Sequence, residues 1–210
     1  MKADLRKAVI QVGDGRGFIA EPCAPVRGSL APILGRLVVA AAHCLPWLPP
    51  ACAVSYQEEI TYQKLLGPLG QEPTVWAECL FVDPIADIAV LGSPDNQELV
   101  EQAEAYEEFT EQATALSIGK SASGKASLLT LEGEWSSCTV ERMRYGHLFI
   151  ENAIGGIRHG MSGSPIIDER GRAIGVVVAG GDVGGPSPSL VDNLPRWLLS
   201  QLRIVARRKN

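Results

Sequence analysis

Basic residues are not in excess: 19 Lys and Arg stand against 24 Asp and Glu, a net charge of −5. The chain as a whole therefore offers no field that would draw phosphate backbones or anionic lipid, which argues against a nucleic-acid binder or a membrane-surface protein. Long apolar runs are missing too. The best, Leu37 to Ala42, stops at His43, far short of the ~18 residues of a membrane span. Residues 1–14 hold Asp4 and only Ala8-Val9-Ile10 as an apolar run, too little for the core of a signal peptide. No Cys-x-x-Cys pair occurs, and five cysteines (Cys23, Cys44, Cys52, Cys79, Cys138) cannot all pair internally. The expectation is five reduced thiols in a cytoplasmic protein, with no metal site and no cofactor. Wholesale disorder is excluded by 46% hydrophobic and 20% charged residues, the balance of a globular chain.

The 210 residues suit one domain, spanning 1–210. The first half, 1–92, reads as short strands with Gly and Pro punctuation: Lys7 to Val12, Gly17 to Glu21, Leu37 to Ala40, Ala53 to Lys64, Thr74 to Val82 and Ile88 to Leu91. Residues 93–114 break the pattern with seven acids and no base. Leu99, Ala103, Tyr106 and Thr110 fall near a 3.6 period, which predicts an amphipathic linker helix. Strands resume over 115–192, from Ala115 to Ile118 through Ala173 to Ala179. A closing helix is expected from about Leu194 to Arg207, within 193–210, with Asp192 or Asn193 as N-cap and Pro195 in its first turn. Strands, linker helix, strands and closing helix predict an all-β fold of two packed antiparallel six-stranded barrels.

Three stretches carry chemistry, in chain order. Val38-Val39-Ala40-Ala41-Ala42-His43-Cys44 puts an imidazole at the end of a buried strand. Ala86-Asp87-Ile88-Ala89-Val90-Leu91 puts a carboxylate at the edge of a core, where it needs a donor. Gly160-Met161-Ser162-Gly163-Ser164-Pro165 puts a hydroxyl between glycines, where backbone N–H groups can approach a ligand. Each alone has a plainer explanation: a structural His, a capping Asp, a turn. Together they supply base, orienter and nucleophile, the minimum for covalent acyl transfer.

These stretches resemble the three motifs of the trypsin-like (chymotrypsin-fold) serine peptidases. The separations, 44 residues from His43 to Asp87 and 75 from Asp87 to Ser162, look similar to those of compact bacterial members. The resemblance extends to Gly15-Arg16-Gly17-Phe18-Ile19-Ala20 and to Gly171-Arg172-Ala173-Ile174-Gly175-Val176-Val177. It implies a serine endopeptidase in which Ser162 attacks, His43 moves the proton, Asp87 orients His43, and the N–H groups of Gly160 and Ser162 form the oxyanion hole. The order His, Asp, Ser argues against an α/β-hydrolase. A substrate pocket is implied around Gly156, His159, Val178, Ala179 and Gly180, while His147 reads as structural. Gly156 falls where trypsin keeps its selecting acid, so basic specificity is not implied. Met161 replaces the Asp of secreted relatives, so the site is expected to form without N-terminal cleavage, with Met161 packed as an apolar plug. Cys44 lacks an obvious partner in the preceding strand, Cys23 being the nearest candidate. The implied partners are a protein or peptide substrate and a possible regulatory protein. The alternative is a catalytically silent or partner-gated module on the same fold.

Overall fold

The computed structural model describes residues 5–23, 35–50, 57–120, 123–178 and 185–205. Six antiparallel strands close the first barrel: β1 (Val9–Val12), β2 (Gly15–Ala20), β3 (Leu37–Ala40), β4 (Thr61–Pro68), β5 (Val75–Asp83) and β6 (Ile88–Gly92). Their spatial order is β1-β2-β3-β6-β5-β4, with β1 pairing back onto β4. A strand with one face to solvent buries alternate residues. All six residues of β2 are buried, because its outer face is covered by the other half of the molecule. Residues 57–60, expected as strand, instead form one helical turn, α1 (Gln57–Ile60), before β4. Of the rest of that expected strand, 61–64 falls in β4 and 53–56 lies outside the described residues.

The linker helix, α2 (Val100–Gln112), is shorter than the 93–114 span. Its buried residues are Ala103, Tyr106 and Thr110, the ones its period selects, and it packs on β5. The Tyr106 hydroxyl donates to the carbonyls of Arg36 (2.9 Å) and Leu91 (3.3 Å), which meets the polar demand of a buried phenol. The last turn has no base of its own. Arg36 supplies one from β3's side, donating to the carbonyls of Thr110 and Ala113 at 2.6 Å each. Those are carbonyls the helix itself cannot satisfy.

The second half is an eight-stranded sheet: β7 (Ile118–Gly119), β8 (Gly124–Leu129), β9 (Trp135–Arg142), β10 (His147–Glu151), β11 (Pro165–Asp168), β12 (Ala173–Val176), β13 (Pro186–Pro188) and β14 (Ile204–Val205). Its order is β13-β10-β9-β8-β11-β12-β7-β14. A bridge between Gly175 and Ser189 curls β12 toward the end of β13, so the sheet rolls into a half-barrel. Its core holds Leu128, Val140, Leu148, Ile150, Met161 and Ile166.

The sheet departs from six antiparallel strands because β7 adds itself parallel to β12, and β14 parallel to β7. The expected closing helix is likewise corrected. After α3 (Leu190–Asn193), α4 covers only Arg196–Leu199, and the chain then extends into β14. Here backbone partners outside the segment win over helical continuation. Arg203 N donates to Glu21 O, Ile118 N to Arg203 O and Cys23 N to Gln201 O. No described helix is long and apolar enough to cross a membrane.

Candidate active site

His43 owes its position to the end of β3. Ala41 is extended, and the 3₁₀ turn Ala42–Cys44 buries Ala42 and Cys44, which leaves the His43 side chain 46% exposed. Asp87 opens β6 from a turn in which Asp83 Oδ1 accepts from the amides of Ile85 and Ala86. Its φ of 57° is left-handed, a conformation Asp tolerates better than most residues. β3 and β6 pair Ala40 with Ala89, and continuing that register two residues sets Ala42 beside Asp87. The carboxylate then meets a single histidine with both oxygens. The His43 amide donates to Oδ1 at 2.9 Å, and Nδ1 lies 2.6 Å from Oδ2. With the proton on Nδ1, Nε2 carries the ring's free lone pair.

Ser162 comes from the second half, in the segment before β11. Residues 158–161 form a turn closed by Met161 N to Arg158 O at 3.1 Å, with φ of 88° at Gly160. This is the type II arrangement, which calls for glycine at its third position. Met161 is 2% exposed and belongs to the core of the second sheet. Its Sδ accepts from Arg158 N at 3.3 Å. Among the described residues, the amides of Gly160 and Ser162 donate to no protein group. Arg158 also donates to both oxygens of Glu132, at 2.5 and 2.7 Å, which holds that carboxyl down at about 2.

Backbone contacts seat Ser162 on the first barrel. Its carbonyl accepts from Arg16 N at 2.8 Å, while Gly163 N holds the segment to its own half by donating to Val177 O at 2.7 Å. A Cβ on Gly163 would lie 1.6 Å from Arg16 O and 3.4 Å from Ala41 N, so this glycine presses against the very elements that lead to His43. Among the described residues, no hydrogen bond joins the Ser162 hydroxyl to His43. Met161→Asp should destabilise the fold by several kcal/mol, since it buries a charge with no partner. Met161→Leu should cost under about 1.5 kcal/mol. Denaturant midpoints of the two variants check this, and similar midpoints would contradict the packing.

The pocket residues are less complete. Gly156 is half-buried and turns through a hydrogen bond to Ala153 O at 3.0 Å. His159 is exposed beside Gly160, and Val178 packs against the first core. Ala179 and Gly180 lie outside the described residues. Asn152 and Ile154 line a surface cavity of about 410 Å³ with Ser137 and Thr139, to which His43, Asp87 and Ser162 do not contribute. His147 pairs with Pro188 across β10 and β13.

Cys23, Cys44 and Cys79 are free thiols, Cys138 is buried, and Cys52 lies outside the described residues. Cys44 faces Gly15 rather than Cys23: a Cβ on Gly15 would sit 2.4 Å from its Sγ. Burial pushes the Cys44 thiol up to about 11. Among the described residues, no group of three or more His, Cys, Asp or Glu is arranged to hold a metal ion. A residue to which motif reading gives no role is Arg16, 5% exposed in β2. Its signal was available: a charge between two glycines, inside an otherwise apolar strand.

The family model of the trypsin-like peptidase domain matches residues 15–176. The chain belongs to that family. The peptidase domain is also similar to solved structures at identities that speak for fold alone. The human pathogenic astrovirus serine protease matches at TM-score 0.52 and 17% identity, over 90% of this chain and 94% of that one. The MamO protease domain of Magnetospirillum magneticum, apo form, matches at TM-score 0.53 and 14% identity, over 93% and 100%. The inactive form of the Rv3671c protease matches at TM-score 0.50 and 15% identity, over 90% and 87%. No curated protein sequence matches the chain. Family membership supports a peptidase, and the peptidase domain pairs one closed barrel with a half-barrel, the chymotrypsin-like layout.

Proposed function

We propose that the chain is a serine endopeptidase acting through His43, Asp87 and Ser162. The observation that carries this reading is the two-point grip of Asp87 on His43, on Nδ1 and on the amide together. Ser162 Oγ attacks the carbonyl carbon of the scissile bond while His43 Nε2 takes its proton. The oxyanion forms against the amides of Gly160 and Ser162, each worth about 2.7–4 kcal/mol in the transition state. Collapse returns the proton from His43 to the leaving amine and leaves an ester on Ser162. Water, deprotonated by the same imidazole, then releases the acid. The substrate is a protein or peptide bound in extended form by strand pairing. No cofactor is needed for this sequence of steps. Met161, buried as an apolar plug, supports a site that forms without N-terminal cleavage. Free thiols favour a reducing compartment, the cytoplasm.

A second reading has one observation behind it. The absent Ser162–His43 hydrogen bond suits a module that a protein partner or substrate must close, although such bonds often tighten only on binding. A fluorophosphonate probe separates the two. Unassisted phosphonylation of Ser162, located by mass spectrometry and lost in Ser162→Ala, is expected of the first. A wild-type chain that stays unlabelled would sink the unassisted enzyme and favour the gated or silent module.

A further inference from the structure

Arg16 takes no part in the steps just described, yet it touches the Ser162 segment and the turn behind Gly160. It lies in β2 of the first barrel, buried. Its Nη1 donates to the carbonyls of Leu129 and Thr130, both at 3.0 Å, where β8 ends in the second sheet. There begins the turn that Gly133 N closes onto Thr130 O at 3.1 Å. That turn backs the oxyanion segment in two places. Leu131 Cδ2 lies 3.5 Å from where a Cβ on Gly160 would be, and Glu132 receives both hydrogen bonds of Arg158. Arg16's own backbone meets the nucleophile segment directly, its amide donating to Ser162 O and its carbonyl setting the limit against Gly163.

We infer that Arg16 is a positioning residue: it ties the Ser162 peptide and the turn behind the Gly160 and Ser162 amides to the barrel that carries His43. The inference rests on the serine-peptidase reading and extends it to how the two halves keep register. The choice of side chain follows from the task. An apolar residue would fill this space without desolvating a charge. It could not hold two successive carbonyls, which a planar guanidinium does with its fixed array of donors. Burial, with Arg6 nearby acting in the same direction, lowers the guanidinium from its ordinary value. Such a group is retained where its hydrogen bonds matter.

The test compares wild type with Arg16→Met and Arg16→Lys, well below their melting midpoints. It uses two readouts: the rate of Ser162 labelling by a fluorophosphonate, and amide hydrogen exchange along the chain. Arg16→Met should slow labelling of folded molecules by roughly ten- to a hundredfold, the range that an ångström of misplacement costs. Exchange should speed up at the Arg16 amide and across residues 158–164, with β3 and β6 unchanged. Arg16→Lys, which keeps a donor for one carbonyl, should recover part of both. A merely stabilising residue would lower the melting midpoint and leave both readouts at wild-type values, and that result overturns the inference. If Arg16→Met fails to fold, wild-type behaviour of Arg16→Lys in both readouts overturns it equally. If the wild type itself is not labelled, the serine reading fails, while the exchange pattern still decides the role of Arg16.

Discussion

Replacing Asp87 by asparagine is expected to lower turnover by about 10⁴ with the fold intact. The size follows from how the carboxylate is used. Oδ1 accepts from the His43 amide and Oδ2 faces Nδ1. Asparagine has one oxygen, so if it serves the amide, its NH₂ group is turned toward Nδ1. Nδ1 must then accept, the ring proton moves to Nε2, and the lone pair that should receive the Ser162 proton is gone. Asparagine also tolerates the left-handed φ of 57° at this position, so backbone strain does not confuse the outcome. Circular dichroism would confirm folding, and labelling rates at Ser162 would report the loss. An Asp87→Asn chain that labels as fast as wild type would remove Asp87 from the mechanism.

Gly163→Ala is expected to be the most damaging glycine-to-alanine change among the described residues. The new Cβ would stand 1.6 Å from Arg16 O and 2.6 Å from Arg16 C. Both are backbone atoms of a buried strand, so no side chain can swing aside. The φ of 83° adds about 1–2 kcal/mol of left-handed strain. To fit, β2 and the Ser162 segment must separate, which breaks the bond from Arg16 N to Ser162 O. The total should exceed the ~4–5 kcal/mol that marks exceptional substitutions. Failure to fold, or a large fall in melting midpoint with no labelling of the residual native fraction, is the expected result. Wild-type stability in this variant would mean that the two halves do not meet there.

The linker helix was readable because a 3.6 period needs only local residues: the sequence points to Ala103, Tyr106 and Thr110, and those are the ones buried. His43 and Asp87 sit in short motifs that the sequence singles out, and the pairing of β3 with β6 brings His43 Nδ1 within 2.6 Å of Asp87 Oδ2. The end of the chain was misread because its decisive partners are remote. Leu198 and Leu202 are buried and satisfy a helical pattern, but β7 and residues 21–23 take the backbone groups that a helix would have used. Arg16 escaped for a related reason. Nothing local says that an arginine between glycines reaches carbonyls 113 and 114 residues away. Patterns report which side of an element is apolar. They are silent on which distant strand will lie against it.

The backbone bonds of residues 201–205 bear on how such a protein comes to exist during synthesis. Arg203 and Gln201 reach back to Glu21 and Cys23, with a sequence separation of 182 between Glu21 and Arg203. β14 lies beside β7 at the same time, so this short segment stitches early chain to late. Contacts at such separation form late, because the loop they close costs entropy before anything is gained. On the ribosome the first barrel can close once β6 has emerged, but the stitch must wait for residues 201–205. A nascent peptidase of this design would stay unlatched until residues 201–205 have emerged, long after the first barrel and Ser162 have been made.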